Sequence, residues 1–110
     1  MKFIFLFLLM FSTSSFSEQT GVASYYGPGF HGKRSADGSV FNMHKLTAAH
    51  KTIKFGKRVM VTNLKNNKSV VVLITDRGPH VKGRIIDLSF AAKKAIDMGG
   101  VARVQIKVLD

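Results

Sequence analysis

The chain has no cysteine and only six acidic residues, against seventeen lysines and arginines, in 110 positions. Without cysteine there is no disulfide framework and no thiol to carry a lipid, so the folded part must be held by its core alone. No apolar run approaches the roughly 20 residues that span a bilayer. The four histidines, His31, His44, His50 and His80, form neither H-x-x-H nor H-E-x-x-H. With no thiol beside them a zinc site has little support, and no metal or cofactor is expected. G-x-S-x-G, a P-loop and a dinucleotide fingerprint are missing as well, which argues against serine catalysis and nucleotide chemistry.

What is present begins with an export pattern. Lys2 is followed by an unbroken apolar run, Phe3 to Phe11, and by small polar residues up to Ser17. Ser15-Phe16-Ser17 offers a small-x-small cleavage site, so residues 1–17 read as a signal peptide and 18–110 as one mature domain. The expected location is periplasmic or secreted, as a monomer with no membrane anchor after cleavage. The net charge of +11 implies an anionic partner. For an exported chain an acidic wall polymer or membrane surface fits that surplus as well as or better than nucleic acid, which charge alone would suggest and which is not expected here.

The periodicity predicts a mainly β domain. Gly21–Gly27 alternates as a first strand, and a long Gly-rich segment with embedded aromatics, Pro28 to Asn42, reads as an ordered functional loop. Arg58–Leu64 and Ser69–Thr75 form the clearest hairpin, with Asn66-Asn67 able to take the positive φ of a tight turn. Arg84–Leu88 reads as a buried strand. Ser89 reads as the N-cap of a short helix whose inner face is Ala92, Ala95 and Ile96 and whose stop is Gly99-Gly100. Val101 to Leu109 alternates as a last strand with one wet face. About six short strands and one helix predict a closed β-barrel, because a small sheet must manage its edges. Its expected core includes Val59, Val61, Val72, Ile74, Ile86, Val104 and Ile106.

Chemistry concentrates between Thr75 and Ser89. Asp76 follows the apolar run Val70–Ile74 and precedes Arg77-Gly78-Pro79, which sets an acid at a strand mouth beside a turn and a cation. Asp87 interrupts a second apolar run, where an ionised side chain is costly unless something satisfies it. Asp87 is read either as the start of a helix or as a second functional carboxylate. His50 ends the small apolar run Leu46–His50, which should hold it near the interior. Two carboxylates would suit a hydrolytic glycosidase. One suffices if the substrate brings its own nucleophile, as when a muramyl hydroxyl attacks within a peptidoglycan strand.

Six motifs in order carry a resemblance: G-V-A-S-Y-Y-G at Gly21–Gly27, F-H-G at Phe30–Gly32, L-T-A-A-H at Leu46–His50, F-G-K-R-V-M-V-T-N-L at Phe55–Leu64, D-R-G-P at Asp76–Pro79 and G-R-I-I-D-L-S at Gly83–Ser89. Together they resemble the rare lipoprotein A family of septal lytic transglycosylases over nearly the whole mature chain. The resemblance implies a six-stranded double-psi β-barrel with one short helix, related to the expansin barrel. It implies an endolytic lyase acting on peptidoglycan glycan strands, with Asp76 and His50 as catalytic residues. Tyr25, Tyr26 and Phe30 would offer sugar rings apolar faces. Lys33, Arg34 and Arg77 would meet acidic groups, and Asn42, Thr47 and Asp87 complete the expected substrate-contacting set. Ser39 and Asn42 stand where the family commonly carries acids. The alternative is an expansin-like module that grips glycan without cutting it.

Overall fold

In the computed structural model, residues 18–110 are described; the signal segment read at residues 1–17 lies outside the described residues. Alternating β-branched residues build the hairpin of β3 (Arg58–Asn63) and β4 (Ser69–Asp76), which turn Val59, Val61, Val70, Val72 and Ile74 to one face. The turn is made by Asn67 at φ 62°, while Asn66 accepts the Lys68 amide through its side chain. Around this hairpin stand β1 (Glu18–Tyr25), β2 (Thr47–Ala49), β5 (Arg84–Leu88) and β6 (Ala102–Val108). The six strands close in the order β1-β5-β2-β4-β3-β6. Two pairings are parallel, β1 with β5 and β2 with β4, and the other four are antiparallel. The seven residues expected in the core are all buried inside this barrel, and closure pairs every strand on both sides.

Three local expectations are corrected. The first strand starts at Glu18 rather than Gly21 and stops at Tyr25, because β6 pairs along it as far back as Glu18 opposite Lys107. Thr47–Ala49 is itself a strand, held on both sides by β4 and β5. The helix, α1 (Phe90–Ala95), has the expected Ser89 cap, whose side chain accepts the Ala92 amide. However, Ala95 is exposed, and of the expected inner face only Ala92 and Ile96 reach the core. Its stop is Asp97 at φ 53°, ahead of the two glycines. That turn sends Met98 back into the core and leaves the Ile96 carbonyl to accept from both Asn63 and Asn66.

The register brings the two acids of interest into line. Ser24 on β1 lies opposite Asp87 on β5, Asp87 opposite Ala49 on β2, and Ala49 opposite Asp76 on β4. One row across four strands therefore carries both. Asp87 alternates with the core residues Ile86 and Leu88, so it faces away from the barrel interior. The segment between β1 and β2 passes over this row.

Candidate active site

Asp76 is the last residue of β4, and three donors converge on its carboxylate. Oδ1 accepts the backbone amides of Ala36 and Arg77, each at 2.9 Å. Oδ2 accepts the Tyr26 hydroxyl at 2.7 Å. The Ala36 amide comes from the loop between β1 and β2, which is pinned over β4 by the Asp37 amide on the Thr75 carbonyl. Tyr26 follows β1 directly, with its own amide on the Leu88 carbonyl. Its ring stacks on Phe41 at 4.6 Å between centroids and meets Phe30 edge-on at 5.3 Å. Burial, then the hydrogen bond to Asp76, then the charges of Asp76 and Asp87 push the Tyr26 phenol well above the ordinary tyrosine range. It is a fixed donor.

Beyond Asp76 the chain turns sharply through Gly78 at φ 120°, a conformation open to glycine, and a cavity of about 500 Å³ opens. Tyr25, Tyr26, Phe30, Lys33, Arg34, Asp76, Arg77 and Asp87 all line it, so eight of the eleven expected site residues share one cleft. His80, Val81 and Arg84 join them. Phe30 is 51% exposed, an apolar face offered to solvent. Tyr25 is backed by Phe90, with the Lys93 ammonium 4.9 Å from its ring centroid.

Asp87 is satisfied in a way that chain order hides. It sits within β5, which rules out the helix-start reading, and it accepts a short hydrogen bond from the Ser24 hydroxyl. Arg84 lies 3.5 Å from it and also donates to the Ser24 oxygen at 3.0 and 2.6 Å. Ser24 is buried, so this hydroxyl is wedged between a carboxylate and a guanidinium. Neither Ser24 nor Arg84 is among the expected site residues. Sequence spacing signals neither: on a regular strand Arg84 and Asp87 would point to opposite faces, and they meet because the register of β1 on β5 shifts between them, while Ser24 is far off in the chain.

The remaining expected residues go elsewhere. Asn42 and Thr47 line a smaller cavity of about 190 Å³, together with Asp37, Lys45 and Thr75, so they do not share the Asp76 cleft. His50 is buried as expected, but its ring is turned away from Asp76. Nδ1 accepts the amides of Thr52 and Ile53, both at 3.1 Å, so the proton sits on Nε2, 3.0 Å from the Gln19 Oε1. Burial first, then the charges of Arg77 and Lys51, hold its pKa below the ordinary histidine value. The connection between His50 and Asp76 is backbone: the His50 amide donates to the Asp76 carbonyl at 3.1 Å. Arg77 reinforces it, with Nη1 on the carbonyls of His50 (3.1 Å) and Ile53 (2.7 Å) and its guanidinium 4.0 Å from the Phe55 ring centroid. Arg77 is thus a clamp on the segment after β2 rather than a free receptor for anions.

Residues 18–107 match the model of the lytic transglycolase family. The chain belongs to that family. It is 56% identical over 91 residues to RlpA of Synechocystis and 52% identical over 91 residues to the endolytic peptidoglycan transglycosylase RlpA of Campylobacter jejuni. Each alignment takes in 81% of this chain but only 28% and 33% of the relative, so the chain spans about a third or less of those proteins. Among solved structures, a papain inhibitor from Streptomyces superposes with a TM-score of 0.66 at 22% identity, covering 84% of this chain and 94% of the inhibitor. An expansin from Clavibacter michiganensis gives 0.65 at 18%, covering 84% of this chain and 50% of the expansin. These likenesses are of fold, and the fold is the double-psi β-barrel.

In this member of the lytic transglycolase family, Ser39 and Asn42 serve the loop itself. Ser39 donates both its amide (2.9 Å) and its hydroxyl (2.5 Å) to the Asp37 carboxylate. Asn42 accepts the His44 amide at 2.9 Å. Both shape turns that carry Ala36 and Phe41 towards Asp76 and Tyr26.

Proposed function

We propose that this chain cleaves peptidoglycan glycan strands as an endolytic lytic transglycosylase, leaving 1,6-anhydro-muramyl ends. The observation that carries the reading is Asp76 itself, a carboxyl group held by three donors at the end of β4, with one lone-pair site left in the cleft beside an exposed aromatic face. Asp87 differs in its contacts, being tied through Oδ1 to the Ser24 hydroxyl and the Arg84 guanidinium. An internal displacement needs only one carboxyl group so placed, while hydrolysis by the usual route needs two. Family membership and the close RlpA relatives support the same reaction.

In the first step the Asp76 carboxyl gives its proton to the glycosidic oxygen as the bond from that oxygen to C1 of the muramyl residue breaks. In the second, the muramyl 6-hydroxyl attacks C1 and Asp76 takes its proton, which restores the acid. No water is consumed. Phe30 and Tyr25 give the sugar rings apolar faces, and Lys33 and Arg34 face the acidic substituents. His50 contributes from behind, by holding the backbone that presents Asp76. The protein acts outside the cytoplasm, exported by residues 1–17, as a monomer.

A second reading is supported by Ser39 and Asn42, which replace acids common in the family: a module that binds glycan without cutting it. Digestion of purified glycan strands decides between them. Anhydro-muramyl ends detected by mass spectrometry support the lyase; retained binding with no such ends supports the module.

A further inference from the structure

An ionised carboxylate offers about four lone-pair sites, two on each oxygen. At Asp76 both sites on Oδ1 are taken by the amides of Ala36 and Arg77, and one on Oδ2 is taken by the Tyr26 hydroxyl. A single site is left, on Oδ2. From this geometry we infer that Tyr26 is a positioning residue: its hydroxyl fixes which oxygen of Asp76, and which side of it, carries the transferable proton. The inference rests on the lyase reading above and goes beyond the stacking role that its ring suggests.

The ring is unsuited to stacking on a sugar. One face packs on Phe41, which is buried, and Phe30 meets it edge-on. These contacts, with the amide of Tyr26 on the Leu88 carbonyl, hold the phenol oxygen in one place relative to the end of β4. The phenol also keeps its proton, because burial and the nearby carboxylate both oppose its ionisation. It is therefore always a donor to Oδ2 and never a competing base. Without it, the carboxyl group has two free sites instead of one, and a proton placed on the wrong one points away from the leaving oxygen.

Tyr26→Phe separates this role from the others, since it keeps the ring and its contacts and removes only the hydroxyl. On purified glycan strands kcat should fall about ten- to a hundredfold, the range for losing one hydrogen bond to a charged group, with KM within about twofold. A residue that merely stacks on substrate would show unchanged kinetics in this variant, and that result overturns the inference. A second readout needs no turnover. Carbodiimide coupling of an amine, mapped by peptide mass spectrometry, should label Asp76 several-fold faster in Tyr26→Phe than in the parent. Labelling of Asp87, whose contacts are untouched, serves as the internal control. Equal labelling of Asp76 in the two proteins overturns the inference whether or not the parent cuts glycan. A parent that yields no anhydro ends while its Asp76 labelling responds to the variant sinks the lyase reading and leaves the positioning contact standing. Should Tyr26→Phe fold poorly, Asp76→Asn tests the same contact from the other side. With the ionised acceptor gone the Tyr26 hydroxyl loses a charge-assisted hydrogen bond, so the urea midpoint should fall, and coincident unfolding curves for parent and variant would refute the contact.

Discussion

Replacing Asp76 by Asn and by Ala should cause the same loss of activity but different losses of stability. The Asn carbonyl can still accept the Ala36 and Arg77 amides, and its own amide can donate to the Tyr26 oxygen, which turns from donor to acceptor. What disappears is the charge on three hydrogen bonds, each worth about 1 kcal/mol more to an ionised group than to a neutral one. The resulting cost is about 1–3 kcal/mol, within the roughly 5–15 kcal/mol that keeps a small domain folded. The Ala variant leaves the half-buried Arg77 amide and Tyr26 hydroxyl facing an emptied corner, although water can still reach the exposed Ala36. It should be about 1–3 kcal/mol less stable than the Asn variant. Both remove the only group assigned to proton transfer, so both should lose roughly 10²–10⁴-fold in the rate of anhydro-end formation. Urea unfolding followed by circular dichroism gives the first quantity and mass spectrometry of digested glycan the second. An Asn variant that cuts within about tenfold of the parent, or an Ala variant as stable as the Asn one, refutes the reasoning.

The lowered pKa of His50 has a definite sign. Below the ordinary histidine value of 6.5 the unfolded chain takes up a proton that folded His50 resists, so the stability it contributes is complete above that value and declines as pH falls towards its folded value. His50→Gln should flatten the fall in urea midpoint between about pH 8 and pH 5.5, and identical slopes would count against the buried neutral ring. Ile74, fully buried near the end of β4, should cost about 2–5 kcal/mol when truncated to Ala, read from the same urea curves. Ser89→Ala removes the acceptor for the Ala92 amide and should cost about 1–2 kcal/mol; an unchanged midpoint would mean the cap contributes nothing.

The hairpin, the last strand and the core are legible in the sequence because β-branched residues alternate there over six or more positions. β2 is not, since three residues are too few for a period of two to show, and its membership comes from β4 and β5 on either side. Burial of His50 follows from its small apolar run, but the direction of its ring is set by the amides of Thr52 and Ile53 and by Gln19 on β1. Asp76 is recognisable by its setting and by resemblance. The role of Tyr26 towards it is not, because the contact joins residues 50 positions apart. Composition alone places the helix stop on Gly99-Gly100. Asp97 takes the left-handed turn instead because Met98 has a place in the core to fill.

The order of the strands has a consequence for how the molecule comes into being. Among the described residues only β3 and β4 pair with their immediate neighbour in the chain; the other five seams join segments that other strands separate. Such a topology closes slowly, since long loops must be drawn together before any pairing rewards them. β6 makes the final two seams at once, against β1 and β3. Until Ala102–Val108 arrives, a nearly finished intermediate presents two unpaired strands, a template for association with its own copies. Yet none of those seven residues lines the cleft. The yield of working protein is therefore governed by a closing strand remote from the chemistry, and substitutions on β6 should reduce the amount of active material while leaving the turnover of each folded molecule intact.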